Sequence, residues 1–493
     1  MNRVAAAYLQ PSNRTVGIYV PTKEAQRTPI PAKPDLKEMI GDYKGREDTS
    51  VGEAFDVAPD KIEARTKRTK IEGLGVALLA KKTRGNTVVL RMTLRYGTEK
   101  SLNGLGTVAD FLPSMMTRGT KQLTRQQIQD QLDLNKASLG SSGSAGEASF
   151  VIQTKRDKLP AVLELLRQIL REPSFPSSEL DILKQGQRAD LEQSLTDPQQ
   201  LALRAVRSAL SPYPAGDVRH IPTIEEDIKL TESLNIGAIK QLYTDFLGAQ
   251  AGQIAVVGDF DEESTVAALT RIMKGWTSRQ PYERIGRRGD VEIKGTTVKI
   301  ETPDKANAFY FAGGIMPLRD DDPDYPALII GNYVLGAGAL SSRLGDRIRQ
   351  KEGLSYGVGS SLGASPLDKR ATLTLYAIYN PANLDKLSVG IREELLKILE
   401  TGITQKELDE ARKGYLQRQE VARTEDGNLS QILEATLATK RTMAFYAKQE
   451  EAIQELTPEK VHDALRKWID PEKILTVVAG DWAAAAKKSQ EKK

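Results

Sequence analysis

The chain has 493 residues, with 70 basic and 66 acidic side chains and a net charge of +4. This near balance, without a long basic block, argues against nucleic-acid binding, and no apolar run reaches the ~18 residues that a membrane-spanning helix needs. Cysteine is absent, and the two histidines are His220 and His462. Disulfides, thiol nucleophiles and thiolate metal sites are therefore excluded, and two distant histidines argue against a self-contained zinc site.

The beginning of the chain carries a pattern that returns twice. Residues 4–20 read as a helix end, a Pro-Ser-Asn turn and a strand, and the same succession recurs at residues 239–259 and 461–481. The later copies each close a segment of about two hundred residues. We therefore expect residues 1–22 to be the trailing helix and strand of a preceding domain, and the chain to be the back half of a longer polypeptide.

The next segments are predicted from proline content and hydrophobic period. Residues 23–64 hold several prolines among charged residues, which predicts a semi-extended linker with one short helix near residues 36–42. Beyond it, the periods of apolar residues predict strands and helices. The predicted elements are strands Leu74–Ala80 and Thr87–Tyr96, a helix over 104–116, strand Ala148–Thr154, a helix over 157–170, a long helix from Ser178 past Glu192, helices around 197–210 and 231–247, and a strand over 253–258.

Two sequence landmarks indicate an internal duplication. Asp157-Lys-Leu159 and Asp385-Lys-Leu387 each open a helix, and Glu179-Leu-Asp181 and Glu407-Leu-Asp409 each open the next one. Both pairs lie 228 residues apart, in the same order of elements, which is the signature of a repeated unit. We therefore predict an α+β fold with two homologous domains, each a mixed, mostly antiparallel sheet with helices packed on one face.

The predicted domain boundaries follow from this duplication. The first domain spans residues 65–276 and the second spans residues 292–482. An Arg- and Gly-rich linker, residues 277–291, joins them. Residues 483–493 are rich in Ala and Lys and are predicted to be a flexible tail.

The stretch from Asp324 to Ser360 combines several unusual features. An apolar helix is interrupted at Gly336 and Gly338, a charged helix follows, and a glycine turn then leads into a strand. Arg349 on the charged helix and Tyr356 on the strand are seven residues apart. The glycine pair lacks the third glycine and the preceding strand of a nucleotide-binding loop, and we expect it to allow a tight helix–helix corner.

This stretch resembles the distal domain of the pitrilysin/insulinase family of zinc metallopeptidases, also called inverzincins. In that family an Arg and a Tyr with this spacing reach the active site from the half of the molecule that lacks the metal. The resemblance implies a pitrilysin-type half clamshell and a catalytic role for Arg349 and Tyr356. On spacing alone, Arg349 is instead one of three surface arginines on its helix and Tyr356 an ordinary half-buried strand residue.

The family carries its zinc on a helix with the motif His-x-x-Glu-His, which places two histidines on one face beside a general base. The matching context here runs from Gly104 to Thr120, and its motif positions are Asp110, Pro113 and Ser114. Proline has no basic side chain and removes a backbone N–H, and serine is a poor zinc ligand. We therefore predict no metal in this chain, and interpret Glu192, near the family's third ligand position, as a solvated helix carboxylate.

Several other polar groups are given ordinary structural roles. We interpret Asp110 as a surface carboxylate, His220 as a loop residue and His462 as an exposed residue of an amphipathic helix. The stretch from Ser141 into Ala148–Thr154 is a candidate edge strand, which could take up an extended peptide by strand addition.

The resemblance leads to two functional readings. In the first, this chain is the non-catalytic C-terminal half of a zinc metallopeptidase and forms a wall of its peptide-binding chamber. It supplies Arg349 and Tyr356 to a zinc site in a partner half, which lies on the same polypeptide or on another subunit. The alternative is an inactive peptidase-derived scaffold that resembles the core proteins of respiratory complexes. The chain alone is predicted to be inactive in both, and large bacterial relatives suggest the periplasm.

Overall fold

The computed structural model describes residues 2–18, 41 and 51–490, within two separate compact units, Met1–Thr49 and Ser50–Lys493. In the first unit, helix α1 spans Asn2–Tyr8 and a 3-10 turn follows at Pro11–Asn13. Residues 14–18 form no strand, contrary to our prediction, because a strand needs a neighbour and they pair with none of the described residues. The remainder of that predicted strand and the predicted helix near residues 36–42, apart from residue 41, lie outside the described residues.

The first sheet of the larger unit has six strands in the order β1-β2-β6-β3-β5-β4. The pair β2–β6 is parallel, whereas the other neighbours run antiparallel. The strand β4, which contains Ser141, therefore lies at one edge of the sheet, whereas β5, which contains Ala148–Thr154, lies between β3 and β4 and is not an edge strand. Their bounds are β1 Lys67–Ile71, β2 Leu74–Ala80, β3 Thr87–Arg95, β4 Ser138–Ser144, β5 Glu147–Lys155 and β6 Gly252–Gly258.

The second sheet has five strands in the order β7-β11-β8-β10-β9. The pair β7–β11 is parallel and the other pairs are antiparallel. Strand β9 occupies the edge that corresponds to β4 in the first sheet. The bounds are β7 Thr297–Glu301, β8 Ala308–Met316, β9 Ser355–Ala364, β10 Ala371–Tyr379 and β11 Leu475–Gly480. Two mostly antiparallel mixed sheets with packed helices confirm the predicted α+β fold.

The helices of the larger unit follow in chain order, and among those described none has the length and apolar character needed to cross a bilayer. Around the first sheet they are α2 Pro59–Arg65, α3 Gly106–Met116, α4 Arg125–Leu134, α5 Leu159–Arg171, α6 Ser177–Ser194, α7 Pro198–Ala209, α8 Ile224–Ser233, α9 Ile236–Phe246 and α10 Glu262–Met273. In the second half they are α11 Tyr325–Asn332, α12 Leu384–Thr401, α13 Gln405–Thr424, α14 Asp426–Thr439, α15 Ala444–Gln454, α16 Pro458–Trp468 and α17 Trp482–Gln490.

Each sheet buries one face against helices of its own half. On β3, Leu90, Met92 and Leu94 are fully buried in a core that also contains Leu166 and Leu170 of α5. Alternation along a strand and the helical period bring these apolar side chains to one interface. This core contains the predicted elements with the strongest periodicity.

The opposite face of each sheet is covered by a helix from the other half. Helix α7 packs Ala202 and Val206 on Phe311 and Val477 of the second sheet. The reverse contact is made by α14, whose Leu429 and Leu433 lie on Ala77, Leu79, Ala255 and Val257 of the first sheet. These helices begin at Pro198 and Asp426, which are 228 residues apart, the same offset as the sequence landmarks. Each half thus contributes an equivalent helix that covers the sheet of the other half, an arrangement that we call the helix exchange.

The structure adds detail to three local predictions. The helix predicted over 231–247 is two helices, because Asn235 accepts a hydrogen bond from the Ala238 amide and caps a new start. The predicted linker 23–64 ends in ordered structure, where Ile62 of α2 is fully buried against the first sheet. Within the predicted flexible tail 483–493, residues 483–490 belong to α17, whose Trp482 indole N–H donates to the Ile300 carbonyl at 2.9 Å, and residues 491–493 lie outside the described residues.

Candidate functional site

The segment between α11 and β9 departs from ordinary α-helical winding. After α11 the chain forms a π-helical turn at Tyr333–Ala337, a 3-10 turn at Ala339–Ser341 and a second π-helical turn at Gly345–Lys351. Ala339 has a φ of 55°, a left-handed conformation that costs energy for a residue with a Cβ. π-Helical turns are frequent at functional sites. Here they form most of the segment that connects α11 to the edge strand β9.

Gly336 is required by a close contact between this segment and strand β9. A Cβ at Gly336 would lie 2.5 Å from the Ser360 backbone nitrogen. At the same contact the Ser360 hydroxyl donates to the Asn332 side-chain oxygen at 2.6 Å. The contact is therefore between a helical segment and a strand, not the helix–helix corner that we predicted for the two glycines.

The three arginines of the predicted charged helix have different surroundings. Arg343 donates to Glu407 at 2.7 and 2.9 Å, and Arg347 pairs with Glu352, Glu393 and Glu394. The exposed Arg349 forms no hydrogen bond or ion pair with a described residue. Within the part of the chain that the structure describes, Arg349 therefore differs from its two neighbours in having an unpaired guanidinium group.

The ion pair between Arg343 and Glu407 changes the pKa of Glu407. Burial opposes ionisation of Glu407, but hydrogen bonds from Arg343 and Thr404 outweigh it and lower the pKa of Glu407 to about 2. Because Glu407 lies in the first turn of α13, this pair ties that helix to the segment that carries Arg349.

Tyr356 lies at a β-bulge of the edge strand. Ile378 pairs with Gly357 and Tyr379 with Ser355, so that Tyr356 has no residue opposite it. The Ser355 hydroxyl donates to the Ile378 carbonyl at 2.6 Å and fixes the bulge. Bulges redirect a side chain and end regular pairing, and the Tyr356 side chain is 59% exposed. It is not the half-buried strand residue of the alternative reading.

Arg349 contributes to the wall of a cavity of about 490 Å³, which we call the Arg349 cavity. The wall is formed by α11 with the turns that follow it, by β9, by β10 and by α13. Gly357 also lines it, whereas the adjacent Tyr356 does not. The other polar side chains of the wall are Tyr325, Asn332, Tyr333, Ser360, Ser361, Tyr376, Tyr415 and Arg418. Arg418 was not predicted because it lies 69 residues beyond Arg349 (418 − 349), and Asn332 was not predicted because it belongs to no recognised motif, although it lies in the same stretch.

The helix with the degenerate zinc motif, α3, packs tightly against edge strand β4. Pro113 is buried inside α3, and a Cβ at Gly143 would lie 2.2 Å from the Ala109 carbonyl oxygen and 2.8 Å from Pro113 Cδ. Ser114 is half-buried and offers a neutral hydroxyl. Among the described residues, no three His, Cys, Asp or Glu side chains meet as a metal site. The residues present at the motif do not fit zinc.

Asp110, at the first motif position, faces a second cavity of about 370 Å³, which we call the Asp110 cavity. His220 and Asp227 also line it. Asp110 is exposed to solvent on the cavity side, as expected for a surface carboxylate, but partial desolvation by the surrounding protein, with the nearby Asp227, raises the pKa of Asp110 to about 7. Asp227 pairs with Arg204, whereas Asp110 has no ion-pair partner among the described residues.

The remaining polar residues have ordinary structural contacts. Glu192 is exposed and accepts from Arg188 one helical turn earlier, at 2.7 Å, as expected for a solvated helix carboxylate. His220 lies in a loop, and its Nδ1 is 2.9 Å from the Tyr213 carbonyl. His462 is half-buried rather than exposed, because its Nε2 lies 2.8 Å from the Leu399 carbonyl of α12 and joins two helices.

Two protein-family models match this chain. Residues 76–213 match the family described as "Insulinase (Peptidase family M16)", and residues 233–415 match the one described as "Peptidase M16 inactive domain". Together the two matches span well over half of the chain, including the degenerate motif, Arg349 and Tyr356.

Individual proteins agree with this assignment. "Non-peptidase homolog YmxG" of Helicobacter pylori is 24% identical over 329 residues, which are 65% of this chain and 72% of that protein. The M16 inactive domain from Pseudomonas fluorescens superposes with a TM-score of 0.73 at 22% identity, covering 84% of this chain and 98% of that one. The periplasmic protease PqqL of Escherichia coli gives a TM-score of 0.64 at 18% identity, over 97% of this chain and 51% of PqqL. The chain belongs to the M16 family of peptidases, that is, the pitrilysin/insulinase family, and contains its inactive domain.

Proposed function

We propose that this chain is the non-catalytic half of a pitrilysin-type zinc peptidase. It forms one wall of a peptide-binding chamber and supplies Arg349 and Tyr356 to a zinc site in a partner half. One observation carries the proposal. Arg349, which has no partner among the described residues, lies on the π-helical turn just before edge strand β9, and the exposed Tyr356 lies on β9, while the helix that would hold zinc has no zinc ligands at the motif positions.

The two side chains suit the chemistry of peptide hydrolysis. Negative charge develops on the carbonyl oxygen of the cleaved bond, and a hydrogen-bond donor already in position stabilises it. The Tyr356 hydroxyl is exposed and thus accessible to a second protein surface. The free Arg349 guanidinium can bind a substrate carbonyl or orient the tyrosine. In the partner half, zinc would polarise the carbonyl and activate water.

The comparison with PqqL supports a half-molecule arrangement, because this chain corresponds in fold to 51% of that protease. The word "periplasmic" in the description of PqqL supports the same compartment for this assembly. Osmotic-shock fractionation of the native organism checks the location: we expect the chain in the periplasmic fraction, and recovery with the cytoplasmic proteins would contradict this part of the proposal.

Reconstitution tests the catalytic role. The chain is combined with the protein or segment of the same organism that carries an intact His-x-x-Glu-His motif, and cleavage of a quenched fluorescent peptide library is followed. Removing one transition-state donor typically lowers kcat by about 10²- to 10³-fold, and we expect a loss of this order for Tyr356→Phe. Tyr282→Phe, which removes a hydroxyl from the linker, is the matched control. Unchanged cleavage by the Tyr356→Phe assembly would refute the assigned role.

A second function, an inactive scaffold, is favoured by one specific finding. The relative from Helicobacter pylori is described as a non-peptidase homolog, so an M16-type chain can exist without peptidase activity. The scaffold reading predicts that the native binding partner, isolated by crosslinking and mass spectrometry, lacks a His-x-x-Glu-His motif. A partner with the motif and stoichiometric zinc favours the peptidase half.

A further inference from the structure

The wall of the Arg349 cavity has an unusual charge composition. Two guanidinium groups, those of Arg349 and Arg418, line it, and no Asp or Glu is present among the described residues of the wall. Elsewhere in the same region the arginines have carboxylate partners, as Arg343 and Arg347 do. The positive charge of the cavity is therefore not neutralised from within the wall.

Both guanidinium groups remain available to an anion. Arg349 has no partner among the described residues, and Arg418 contacts only neutral groups. It donates to the Ala337 carbonyl at 3.3 Å and to the Tyr333 hydroxyl at 3.5 Å, and its Cζ lies 5.0 Å from the centre of the Tyr333 ring. These contacts hold the side chain of Arg418 in place but leave its charge unpaired. Two such charges in one concave space create a positive potential that attracts anions.

Neutral donors and apolar surface complete the wall. The amide nitrogen of Asn332 donates to no described residue, since only its oxygen is used, by Ser360. Burial raises the pKa of Tyr415, so its hydroxyl remains a donor at physiological pH. Ile329 and Leu340 supply apolar contact, which suits the methylene groups of a side chain. A planar carboxylate is the anion that guanidinium groups bind with paired hydrogen bonds.

We propose that the Arg349 cavity binds a carboxylate of a peptide, either an acidic side chain or the terminal carboxylate. This inference rests on the proposed function only in taking the ligand to be a peptide. It gives the chamber a substrate class, which is peptides with an acidic group close to the bond presented to the zinc half. Arg418 is then a specificity-determining residue outside the Arg–Tyr unit.

Binding to the isolated chain tests the proposal without the zinc half. Fluorescence anisotropy is measured with three short labelled peptides of one neutral sequence. One has a central Glu and an amidated C terminus, one has Gln at that position and a free C-terminal carboxylate, and one has Gln and an amidated C terminus. Hydrogen bonds to charged groups are stronger than those between neutral groups, and we expect about 10- to 100-fold tighter binding of the peptide whose carboxylate fits.

Two variants and a control assign the effect to the cavity. Arg349→Gln and Arg418→Gln should each reduce the preference about 10-fold, while Arg392→Gln, an exposed arginine of α12, should retain it. Thermal melting of each variant shows whether it is folded. Equal affinity for all three peptides, or a preference that survives both cavity variants, overturns the proposal. Failed reconstitution with preserved acidic preference would instead count against the zinc partnership alone.

Discussion

Asp110 lies where the family resemblance implies a zinc ligand, and it has no cationic partner among the described residues. Its surroundings and Asp227 raise its pKa from 3.8 to about 7. The folded protein therefore holds a proton that the unfolded chain releases at a lower pH. The contribution of this group to stability must fall as the pH rises from about 4 to about 7, and remain reduced above that range.

Replacing Asp110 with Asn should therefore stabilise the protein under alkaline conditions. We expect Asp110→Asn to raise the free energy of unfolding at pH 8 by about 1 kcal/mol, because cavity solvent screens much of the penalty on the charged carboxylate. Urea unfolding at pH 8 and pH 5 measures the effect, which should be smaller at pH 5. Asp181→Asn, at an exposed position of α6, should show neither change. A gain that is equal at both pH values would contradict this account.

Single residues of the site differ in how far the sequence identifies them. Arg349 and Tyr356 are predicted from their spacing and family context. That Arg349 is the unpaired arginine among the described residues could not be predicted. It depends on which of the three arginines the nearby carboxylates contact in the folded chain, and these carboxylates pair with Arg343 and Arg347. Arg418 and Asn332 join the cavity only through tertiary packing, and no motif marks them.

At the level of elements, the winding of the segment between α11 and β9 depends on Gly336. This glycine lets the π-helical turn approach the Ser360 backbone, where a Cβ would be only 2.5 Å from the amide nitrogen. The contact positions both sides of the Arg349 cavity. It also places the Ser360 hydroxyl against Asn332 and so orients the amide that faces the cavity.

Gly336→Ala should accordingly disturb the segment. Backbone cannot move away as a flexible side chain can, and we expect the free energy of unfolding to fall by about 1–3 kcal/mol, as for overpacked cores. Gly363→Ala on β9 is the matched control, since a Cβ there meets nothing within 4 Å. Urea unfolding of both variants measures the difference. Equal stability of the two would show that the close approach is not required.

Strong periodicity explains which elements were predicted. Strand β3 and helix α5 follow the periods of 2 and 3.6 and were found within a few residues. The break between α8 and α9 was missed because it depends on one capping residue, Asn235, inside an apolar pattern. The π-helical turns were missed because their winding responds to contacts with β9 rather than to local preference.

For the molecule as a whole, the reciprocal contacts of α7 and α14 join the two halves. Leu433 of α14 is fully buried on the first sheet, so truncation leaves a cavity at the junction. We expect Leu433→Ala to lower the free energy of unfolding by about 2–5 kcal/mol, measured by guanidinium unfolding. Val421→Ala on α13, where the side chain is 58% exposed, should change it by less than about 0.5 kcal/mol. Similar effects of the two substitutions would argue against the exchanged helix as a structural element.

The duplication could be predicted from sequence, but the exchange could not. A constant offset of 228 residues reveals two copies of one unit. The apolar residues of α14 show that one side of this helix is buried, but both sheets offer an apolar face of the same kind. Only the three-dimensional arrangement decides between them.

The exchanged helix also sets an order of events during biosynthesis. Ala77 and Leu79 leave the ribosome early, whereas α14, which covers them, begins only at Asp426. Because synthesis proceeds at ~5–20 residues per second, this apolar face remains uncovered for on the order of tens of seconds before α14 has been synthesised. Nascent chains that stop before Asp426 should therefore be held by chaperones, and release of the chain should coincide with the emergence of α14.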